Sequence, residues 1–301
     1  MTMTVRSPAK INLHLGVGAV RDDGFHPLDT VYQAVGLVDD VTVSDADTLD
    51  VSLVAADHVD GGGVPLGEDN IVVRAASALA AHHGREPRVA VRIAKEIPVA
   101  GGMAGGSADA AATLVALDRL WDLGTPDEDL LAIAAELGSD VPFALVGGTA
   151  HGHGRGELVE PVPDPATWWW VVVPSSVGLS TPEVYRHFDR LFPDAPATPP
   201  PAHALLRALS SGDPLALAAA LHNDLEAPAV DLRPELGALL EHGESEGALR
   251  GLLSGSGPTC LFLCEDADAA RTLAVALTAS YDTVLVAPAP VAGAHVVHPR
   301  V

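Results

Sequence analysis

A glycine-rich loop that opens directly onto a long helix constrains this fold more than any other feature of the sequence. It lies in PVAGGMAGGSADAAATLVAL, residues 98–117, and follows VAVRIAKEIP, whose alternating apolar residues predict a strand. The loop holds four glycines: Gly101, Gly102, Gly105 and Gly106. Without side chains, its backbone amides can converge on an anion, and the helix N-terminus adds about half a positive charge. The segment therefore predicts an anion-binding loop, with Ser107 as N-cap or as a hydroxyl for phosphate or Mg²⁺.

The loop differs from two familiar phosphate-binding patterns. It lacks the Gly-Lys-Ser/Thr ending of a Walker A loop, and it is not the GxGxxG dinucleotide fingerprint. A flexible or close-packed loop without a ligand is the alternative. Because backbone amides can bind phosphate without a lysine, the acidity of the chain does not argue against the anion site.

That acidity excludes other partners. The 301 residues include 40 acidic and 17 basic ones, for a net charge of −23, so we expect neither nucleic-acid nor membrane-surface binding. The lysines are Lys10 and Lys95, and the remaining basic residues are arginine. Coding bias explains that composition, but a retained lysine also marks a position where a compact charge is needed.

The same sequence favours a cytoplasmic protein. Its start, MTMTVRSPAKINL, is unlike a secretory signal, and no run approaches the roughly 18 apolar residues of a membrane span. Cys260 and Cys264 lie four apart in a predicted strand, about 13 Å from each other, which is too far for a disulfide. We expect two buried thiols in a reducing compartment.

Two charged residues are candidates for acid–base chemistry. Lys10 shares one strand face with Asn12 in SPAKINLHLGV, and Asp140 follows a helix in LGSDVPFALVGG, before a strand-like apolar run. A carboxylate beside an ammonium can act as general base for a hydroxyl if the fold brings the two together. An exposed lysine and a turn aspartate are the alternatives.

Three further segments carry weaker signals. LLSGSGPTCLFL predicts a glycine turn between two strands, which serves either as a tight turn or as a phosphate contact. HGHG at 151–154 has the spacing of some metal sites, but no nearby cysteine or carboxylate set completes it, so a loop is favoured. The tryptophans at 168–170 are expected to pack in the core and at a domain interface.

The order of these segments predicts an α+β fold of two domains, 1–158 and 159–301, with the boundary after GGTAHGHGRG. The second half mixes helices with an antiparallel sheet and contains a Pro-rich surface loop at 193–204. Its predicted helices include 203–211, 214–222 and 232–247. The active site is expected in the cleft between the halves.

Taken together, these segments resemble the GHMP kinases. Pro98–Ala111 matches the central glycine-rich segment of that family and Ser254–Thr259 its C-terminal glycine motif, with PAKINLHL preceding both. The resemblance implies a two-domain GHMP kinase fold: an N-terminal nucleotide domain like ribosomal protein S5 and a C-terminal ferredoxin-like α/β sandwich.

Within the family, DDGFHPLDTVYQAV, GEDNIVVRAA, LGSDVPFAL and HNDLEAPA resemble one branch in particular. That branch phosphorylates the tertiary 2-hydroxyl of a cytidyl diphosphate sugar alcohol in non-mevalonate isoprenoid precursor synthesis. The resemblance implies ATP and Mg²⁺ as cofactors and a monomer or weak homodimer.

The resemblance also implies residue roles. Asp140 would take the proton from the acceptor hydroxyl, and Lys10 would orient and support that step. The implied substrate-binding residues are Asn12, Phe25, His26, Thr181, Tyr185, Gly255, Ser256 and Gly257, with Phe25 and Tyr185 sandwiching cytosine. The implied nucleotide-binding residues are Asn70, Lys95, Pro98, Val99, Ala100, Gly101, Gly102, Met103, Ala104, Gly105, Gly106, Ser107 and Ala108.

The sequence departs from the family pattern at several of these positions. Met103, Ala104 and Ala108 replace the more frequent Leu, Gly and Ser. A glycine is expected at position 104 if the backbone there has a positive φ. Ala108 lacks a hydroxyl, which leaves Ser107 as the hydroxyl for the phosphates or the metal ion. Phe25 stands where tyrosine is usual and keeps the stacking face.

Three other functions compete with this one. A family member with a small acceptor such as homoserine or mevalonate would not need Phe25, His26 and Tyr185. A nucleotide-binding regulator without catalysis would not need Lys10 and Asp140. An acidic scaffold protein would leave the glycine loop unexplained.

Overall fold

The computed structural model describes residues 1–99, 101–175 and 178–297, and confirms the α+β class. The strands are β1 (Thr2–Val17), β2 (Leu28–Asp45), β3 (Asp50–Ala55), β4 (Val89–Lys95), β5 (Thr149–His153), β6 (Leu158–Pro161), β7 (Trp168–Val173), β8 (His222–Asn223), β9 (Arg250–Leu253), β10 (Cys260–Cys264), β11 (Leu285–Ala289) and β12 (His295–Val296). The helices are α1 (Ile71–His82), α2 (Gly105–Leu120), α3 (Asp127–Leu137), α4 (Val141–Val146), α5 (Thr181–Leu191), α6 (His203–Ser211), α7 (Pro214–Ala220), α8 (Glu226–Leu232), α9 (Pro234–Ser245) and α10 (Ala267–Leu277), with a 3₁₀ turn at Gly61–Gly63.

The strands form two sheets. The first has the order β12-β1-β2-β4-β3, with β5 and β6 extending from β2, and β8 parallel to β1. The second has the antiparallel order β11-β7-β10-β9. The division at 158/159 stays a prediction. β6 crosses it, and β8 and β12 come from the second half, so the first sheet contains strands from both halves.

A register shift in β1 decides which side chains face the functional site. Lys10 pairs with Ala34 and Asn12 with Tyr32, but after a shift between Asn12 and His14, His14 pairs with Val31. Since neighbours along β2 face opposite sides, His14 points away from the face that carries Lys10 and Asn12.

Three large apolar cores among the described residues hold the layers together, and a fourth, small one surrounds Tyr32 and Phe143. The first lies between the first sheet and α1–α4, where α1 buries Val72, Ala76 and Leu79 at helical spacing. The second fills the space between the two sheets together with α6 and α7, and it includes Trp168 and Trp170 as expected. The third covers the far face of the second sheet with α5 and α8–α10.

The structure corrects several local expectations. The apolar run after Asp140 is the helix α4 and not a strand, since Pro142 lies in its first turn, where the missing N–H costs no bond. HGHG is not a loop, because His151 and His153 end strand β5. Helix α7 ends at Ala220 rather than 222. The short elements α8, β8 and β12 have no periodic signal and were not expected.

Other expectations concern chemistry rather than secondary structure. Cys260 and Cys264 are buried free thiols on β10, and burial raises the pKa of both, to about 12 for Cys264. Within the described part of the chain, no helix has the length and apolar character needed to cross a bilayer.

Candidate active site

The glycine loop turns into α2 through a left-handed residue. Ala104 is the N-cap and has a φ of 55°, so the positive φ expected there is present without the glycine. An alanine in that conformation costs roughly 1–2 kcal/mol. Ser107 is not the N-cap, as one expectation had it, because α2 begins at Gly105 and places Ser107 within its first turn.

The loop is fixed between β1 and the C-terminal glycine turn. Gly102 has a φ of 75°, and its carbonyl accepts a hydrogen bond from the Ser254 hydroxyl at 3.0 Å. A Cβ on Gly102 would lie 2.6 Å from the Ser254 carbonyl oxygen, so a side chain does not fit there. On the other side, the Lys10 amide donates to the Met103 carbonyl at 3.1 Å.

A cavity of about 250 Å³ opens beside this loop. Six of the residues implied in nucleotide binding line it: Asn70, Lys95, Pro98, Val99, Gly105 and Gly106. Met103 and Ala108 are instead buried beneath the loop, and Gly101 packs near Thr259. Ala100 lies outside the described residues. Asn70 is also the side-chain cap of α1, since its Oδ1 accepts from the Val72 amide at 2.8 Å.

Lys95 is held between two buried carboxylates. Its Nζ donates to Asp39 Oδ2 at 2.5 Å and to Asp109 Oδ2 at 2.7 Å, and its side chain is 3% exposed. Burial lowers the pKa of Lys95, but the two carboxylates outweigh it, and the pKa lies above 10.5. Neither partner could be predicted from the sequence, because the three residues come from the separate elements β2, β4 and α2.

The second oxygen of Asp109 is an unusual feature of the same cavity. Asp109 Oδ1 is buried and has no hydrogen-bond partner among the described residues, and Asp109 lines the cavity. Asp39, in contrast, also accepts the backbone amides of Glu96 and Ile97. Burial and the neighbouring Asp39 raise the pKa of Asp109 well above 3.8. An unsatisfied buried carboxylate oxygen fits a site built for a ligand with hydrogen-bond donors or a cation.

Lys10 and Asp140 meet as the sequence hypothesis required. Lys10 Nζ lies 3.8 Å from Asp140 Oδ2 and donates to Asn12 Oδ1 at 2.7 Å. Asn12 Nδ2 in turn donates to the Thr30 hydroxyl at 2.8 Å, which fixes the amide. Lys10 is buried and the Asp140 side chain is 32% exposed, so the carboxylate is open to a substrate while the ammonium is held behind it.

Tyr32 is a residue of this site that sequence reasoning missed. Lys10 Nζ lies 5.3 Å from the centre of its ring, which also packs against Phe143 of α4. Burial and the nearby Asp140 carboxylate raise the pKa of Tyr32 well above 10. The sequence shows only that Tyr32 and Ala34, two residues apart in β2, share one face of the strand. That spacing is equally typical of an ordinary core residue.

A second cavity, of about 430 Å³, lies at the other end of the cleft. Four residues implied in substrate binding line it: Phe25, His26, Thr181 and Tyr185. Both halves of the chain contribute to this cavity, as expected. Ser139, the residue before Asp140, also lines it, so the cavity extends towards the Lys10–Asp140 pair. Arg155 and Arg186 also line it and were not foreseen.

The aromatic residues of this cavity differ in their surroundings, since Tyr185 packs against His26 and Phe25 lies towards solvent. The His26 and Tyr185 rings lie 5.0 Å apart, whereas Phe25 is 49% exposed with the Arg155 guanidinium 4.9 Å from its ring centre. His26 Nδ1 donates to the Gly18 carbonyl at 2.8 Å, because a carbonyl can only accept. Its Nε2 lies 3.6 Å from Asp189 Oδ1.

The C-terminal glycine turn joins the two ends of the cleft. Ser256 Oγ lies 2.8 Å from the hydroxyl of Thr181, and a Cβ on Gly255 would lie 3.3 Å from Asn12 Oδ1. Gly255 and Gly257 both have positive φ. Asn223 Nδ2 holds the turn by donating to the Gly255 carbonyl at 2.7 Å. The turn therefore contacts the glycine loop, Lys10 and the second cavity.

This geometry suits transfer of a group between two ligands. The Asp140 carboxylate lies beside the Lys10 ammonium, with the glycine-rich loop on one side and an aromatic cavity lined by two arginines on the other. Phosphoryl transfer depends mainly on positioning and charge stabilisation, which this arrangement supplies.

Comparison with known proteins gives the same picture. Residues 70–148 match the family profile "GHMP kinases N terminal domain" and residues 204–283 match "GHMP kinases C terminal". A 4-diphosphocytidyl-2-C-methyl-D-erythritol kinase of a Nocardioides species is 69% identical over 97% of this chain and 99% of its own. A crystal structure of 4-(cytidine 5'-diphospho)-2C-methyl-D-erythritol kinase superposes with a TM-score of 0.79 at 34% identity, covering 97% of this chain and 100% of that one.

A more distant structure shares the fold alone. The homoserine kinase of Cytophaga hutchinsonii superposes with a TM-score of 0.74 at 19% identity, over 98% of this chain and 97% of its own.

Proposed function

This chain belongs to the GHMP kinase family, and we propose that it phosphorylates the 2-hydroxyl of 4-diphosphocytidyl-2-C-methyl-D-erythritol with ATP. Its relative with 69% identity bears that substrate in its name. The observation that supports the assignment most is the Lys10–Asp140 pair between a cavity beside the glycine loop and an aromatic cavity. The reaction belongs to non-mevalonate isoprenoid precursor synthesis.

Asp140 acts as the general base in this proposal. Its partly exposed carboxylate accepts the proton of the 2-hydroxyl group. The hydroxyl oxygen forms its bond to the γ-phosphorus of ATP as the bond from that phosphorus to ADP breaks, and ADP leaves. The Lys10 ammonium, 3.8 Å from Asp140 Oδ2, stabilises the negative charge in the reacting region. Asn12 holds the ammonium in place through its 2.7 Å hydrogen bond.

The glycine loop and the N-terminus of α2 bind the phosphates of ATP through backbone amides. The residues that line this cavity fit a nucleotide and its cation. Asp109 Oδ1 has no hydrogen-bond partner among the described residues, and a Cβ on Gly105 would lie 2.9 Å from Lys95 Nζ. The Ser107 hydroxyl and the Asp109 carboxylate are the oxygen donors that would hold Mg²⁺ there. When bound, Mg²⁺ neutralises phosphate charge.

The second cavity selects the acceptor. Tyr185, His26 and Phe25 offer apolar faces for a pyrimidine, and Arg155 and Arg186 offer cations for a diphosphate. Homoserine and mevalonate have neither group. The buried free thiols of β10 also fit a reducing cytoplasm, which we propose as the compartment.

An acceptor comparison tests this function. ADP release is measured with the purified chain, Mg²⁺-ATP and one of three acceptors: 4-diphosphocytidyl-2-C-methyl-D-erythritol, mevalonate or homoserine. We expect turnover with the first and a kcat/KM at least about 100-fold lower with the others, because the groups that the cavity binds are absent from them. Comparable turnover with a small acceptor would overturn the assignment, and ATP binding without any turnover would favour a regulator.

A further inference from the structure

One carboxylate and two imidazoles meet on the first sheet, on the face opposite to the one that carries Asn12 and Tyr32. Asp29 of β2 and His151 and His153 of β5 bring one ligand atom each to within 4.8 Å of one another. His151 pairs with Val31 across the two strands, so the group lies on the sheet face opposite to Asn12 and Tyr32. This face packs against the second half of the chain.

The residues are held by the fold rather than by each other alone. His151 Nε2 lies 2.8 Å from Asp29 Oδ1, and the His151 and His153 ring centres are 4.1 Å apart. Gly152, between the two histidines, lets β5 pack closely against Tyr32, because a Cβ at this position would lie 2.7 Å from the Tyr32 ring. Asp29 Oδ1 also accepts the Ala202 amide at 3.2 Å, just before α6. Such outer hydrogen bonds orient metal-binding carboxylates.

The spacing suits a small transition-metal ion. In a tetrahedral zinc site with bonds of about 2.0–2.1 Å, ligand atoms lie about 3.3 Å apart, which small side-chain rotations reach from here. The Asp29 and His151 side chains are 15% and 17% exposed, whereas His153 reaches solvent and leaves an entry path. The net charge of −23 further favours a cation.

We propose that Asp29, His151 and His153 bind one divalent transition-metal ion of the zinc class, with water as fourth ligand. The ion replaces the proton between His151 and Asp29. Two imidazoles favour zinc, cobalt or nickel over Mg²⁺, which prefers oxygen ligands, so the site is distinct from any Mg²⁺ that accompanies ATP. It ties the first sheet to the segment leading into α6.

Metal titration of the untagged, chelator-treated protein tests the site. Zn²⁺ is titrated calorimetrically in 5 mM Mg²⁺, and Co²⁺ absorption reports the coordination geometry. We expect one saturable site, a tetrahedral Co²⁺ spectrum and a rise in melting temperature with Zn²⁺. The variants His153→Gln and Asp29→Asn should each weaken Zn²⁺ binding at least about 10-fold. Both variants should keep the circular dichroism spectrum of the wild type, which shows that the fold is unchanged.

His82→Gln is the matched control. His82 also has a neighbouring imidazole, with ring centres 4.9 Å apart, and a carboxylate, Asp129, at 3.6 Å, but it belongs to another part of the surface. We expect its Zn²⁺ affinity to equal that of the wild type. The proposal fails if the wild type shows no saturable 1:1 binding, or if His153→Gln and His82→Gln bind Zn²⁺ equally well.

Discussion

Lys10 and Asp140 come from opposite ends of the N-terminal half, and their roles can be separated by a single isosteric change. Asp140→Asn keeps the size of the side chain but removes the base. We expect kcat to fall about 10²–10⁴-fold, the usual contribution of a general base. The dissociation constant of ATP should change little, because the glycine loop, which we propose to bind the phosphates, stays unchanged. Steady-state kinetics and calorimetric ATP titration measure the two quantities, and a kcat near that of the wild type would refute the role of Asp140.

Lys95 neutralises two buried carboxylates, and this structural role can be measured by removing its charge. Lys95→Met leaves Asp39 and Asp109 buried without their cation, and we expect the free energy of unfolding to fall by about 3–5 kcal/mol. Adding Asp109→Asn removes one of the uncompensated charges and should restore part of the loss. Urea denaturation of the two variants checks this, and equal stability of Lys95→Met and the wild type would contradict it.

His222 gives a pH dependence with a definite sign. Its hydrogen bond to Asp224 raises its pKa above 6.5, and Glu226 adds to this, although burial opposes it. Burial lowers the pKa of the neighbouring His14. The stabilisation from protonated His222 is therefore complete below pH 6.5 and is lost as the pH rises through the raised pKa.

His222→Gln removes this contribution. The difference in free energy of unfolding between wild type and variant should be largest below pH 6.5 and should shrink as the pH rises. Chemical denaturation at several pH values measures it, and a difference that grows with pH would mean that the sign is wrong.

At the scale of elements, the glycine loop is the clearest case of sequence dictating structure. Gly102 needs its positive φ, and a Cβ would lie 2.6 Å and 2.8 Å from the carbonyl oxygens of Ser254 and Gly257. Gly102→Ala should therefore lower the free energy of unfolding by about 2–4 kcal/mol, from a left-handed alanine and from overpacking.

Gly106→Ala is the control within the same loop. Gly106 lies in the first turn of α2, and its nearest neighbour to an added Cβ is 3.7 Å away, at Ile71 Cγ2. Alanine should leave stability equal or raise it by up to about 1 kcal/mol. Thermal unfolding without ligands compares the two variants, and equal effects would show that the close approach at Gly102 does not matter.

Local patterns could be predicted wherever the signal is local. The alternation in β4 and the long helix α2 after the glycine loop both follow from neighbouring residues. The helix α4 could not, because six apolar residues fit a strand equally well. The carboxylate beside His151 is Asp29, 122 residues away, and only the pairing of β2 with β5 reveals it.

For the whole molecule, the two halves share structure. Trp170 of the second sheet donates from Nε1 to Gln33 Oε1 of the first at 3.0 Å, and β8 and β12 pair with β1. We expect one cooperative thermal transition, with equal calorimetric and van't Hoff enthalpies. Two separate calorimetric transitions would contradict the shared core.

The net charge of −23 also belongs to this scale. It argues against nucleic acid and membrane surfaces, but it leaves room for phosphate ligands because backbone amides and a few cations bind them locally. Lys10, Lys95, Arg155 and Arg186 all lie at the cleft.

The product of the reaction tests the central claim most directly. The chain is incubated with ATP and 4-diphosphocytidyl-2-C-methyl-D-erythritol, and the product is analysed by ³¹P and ¹³C NMR. We predict one new phosphomonoester on the 2-hydroxyl, with the cytidyl diphosphate intact and one ADP formed per product. Phosphate on another hydroxyl, or ADP without a phosphorylated acceptor, would contradict the account.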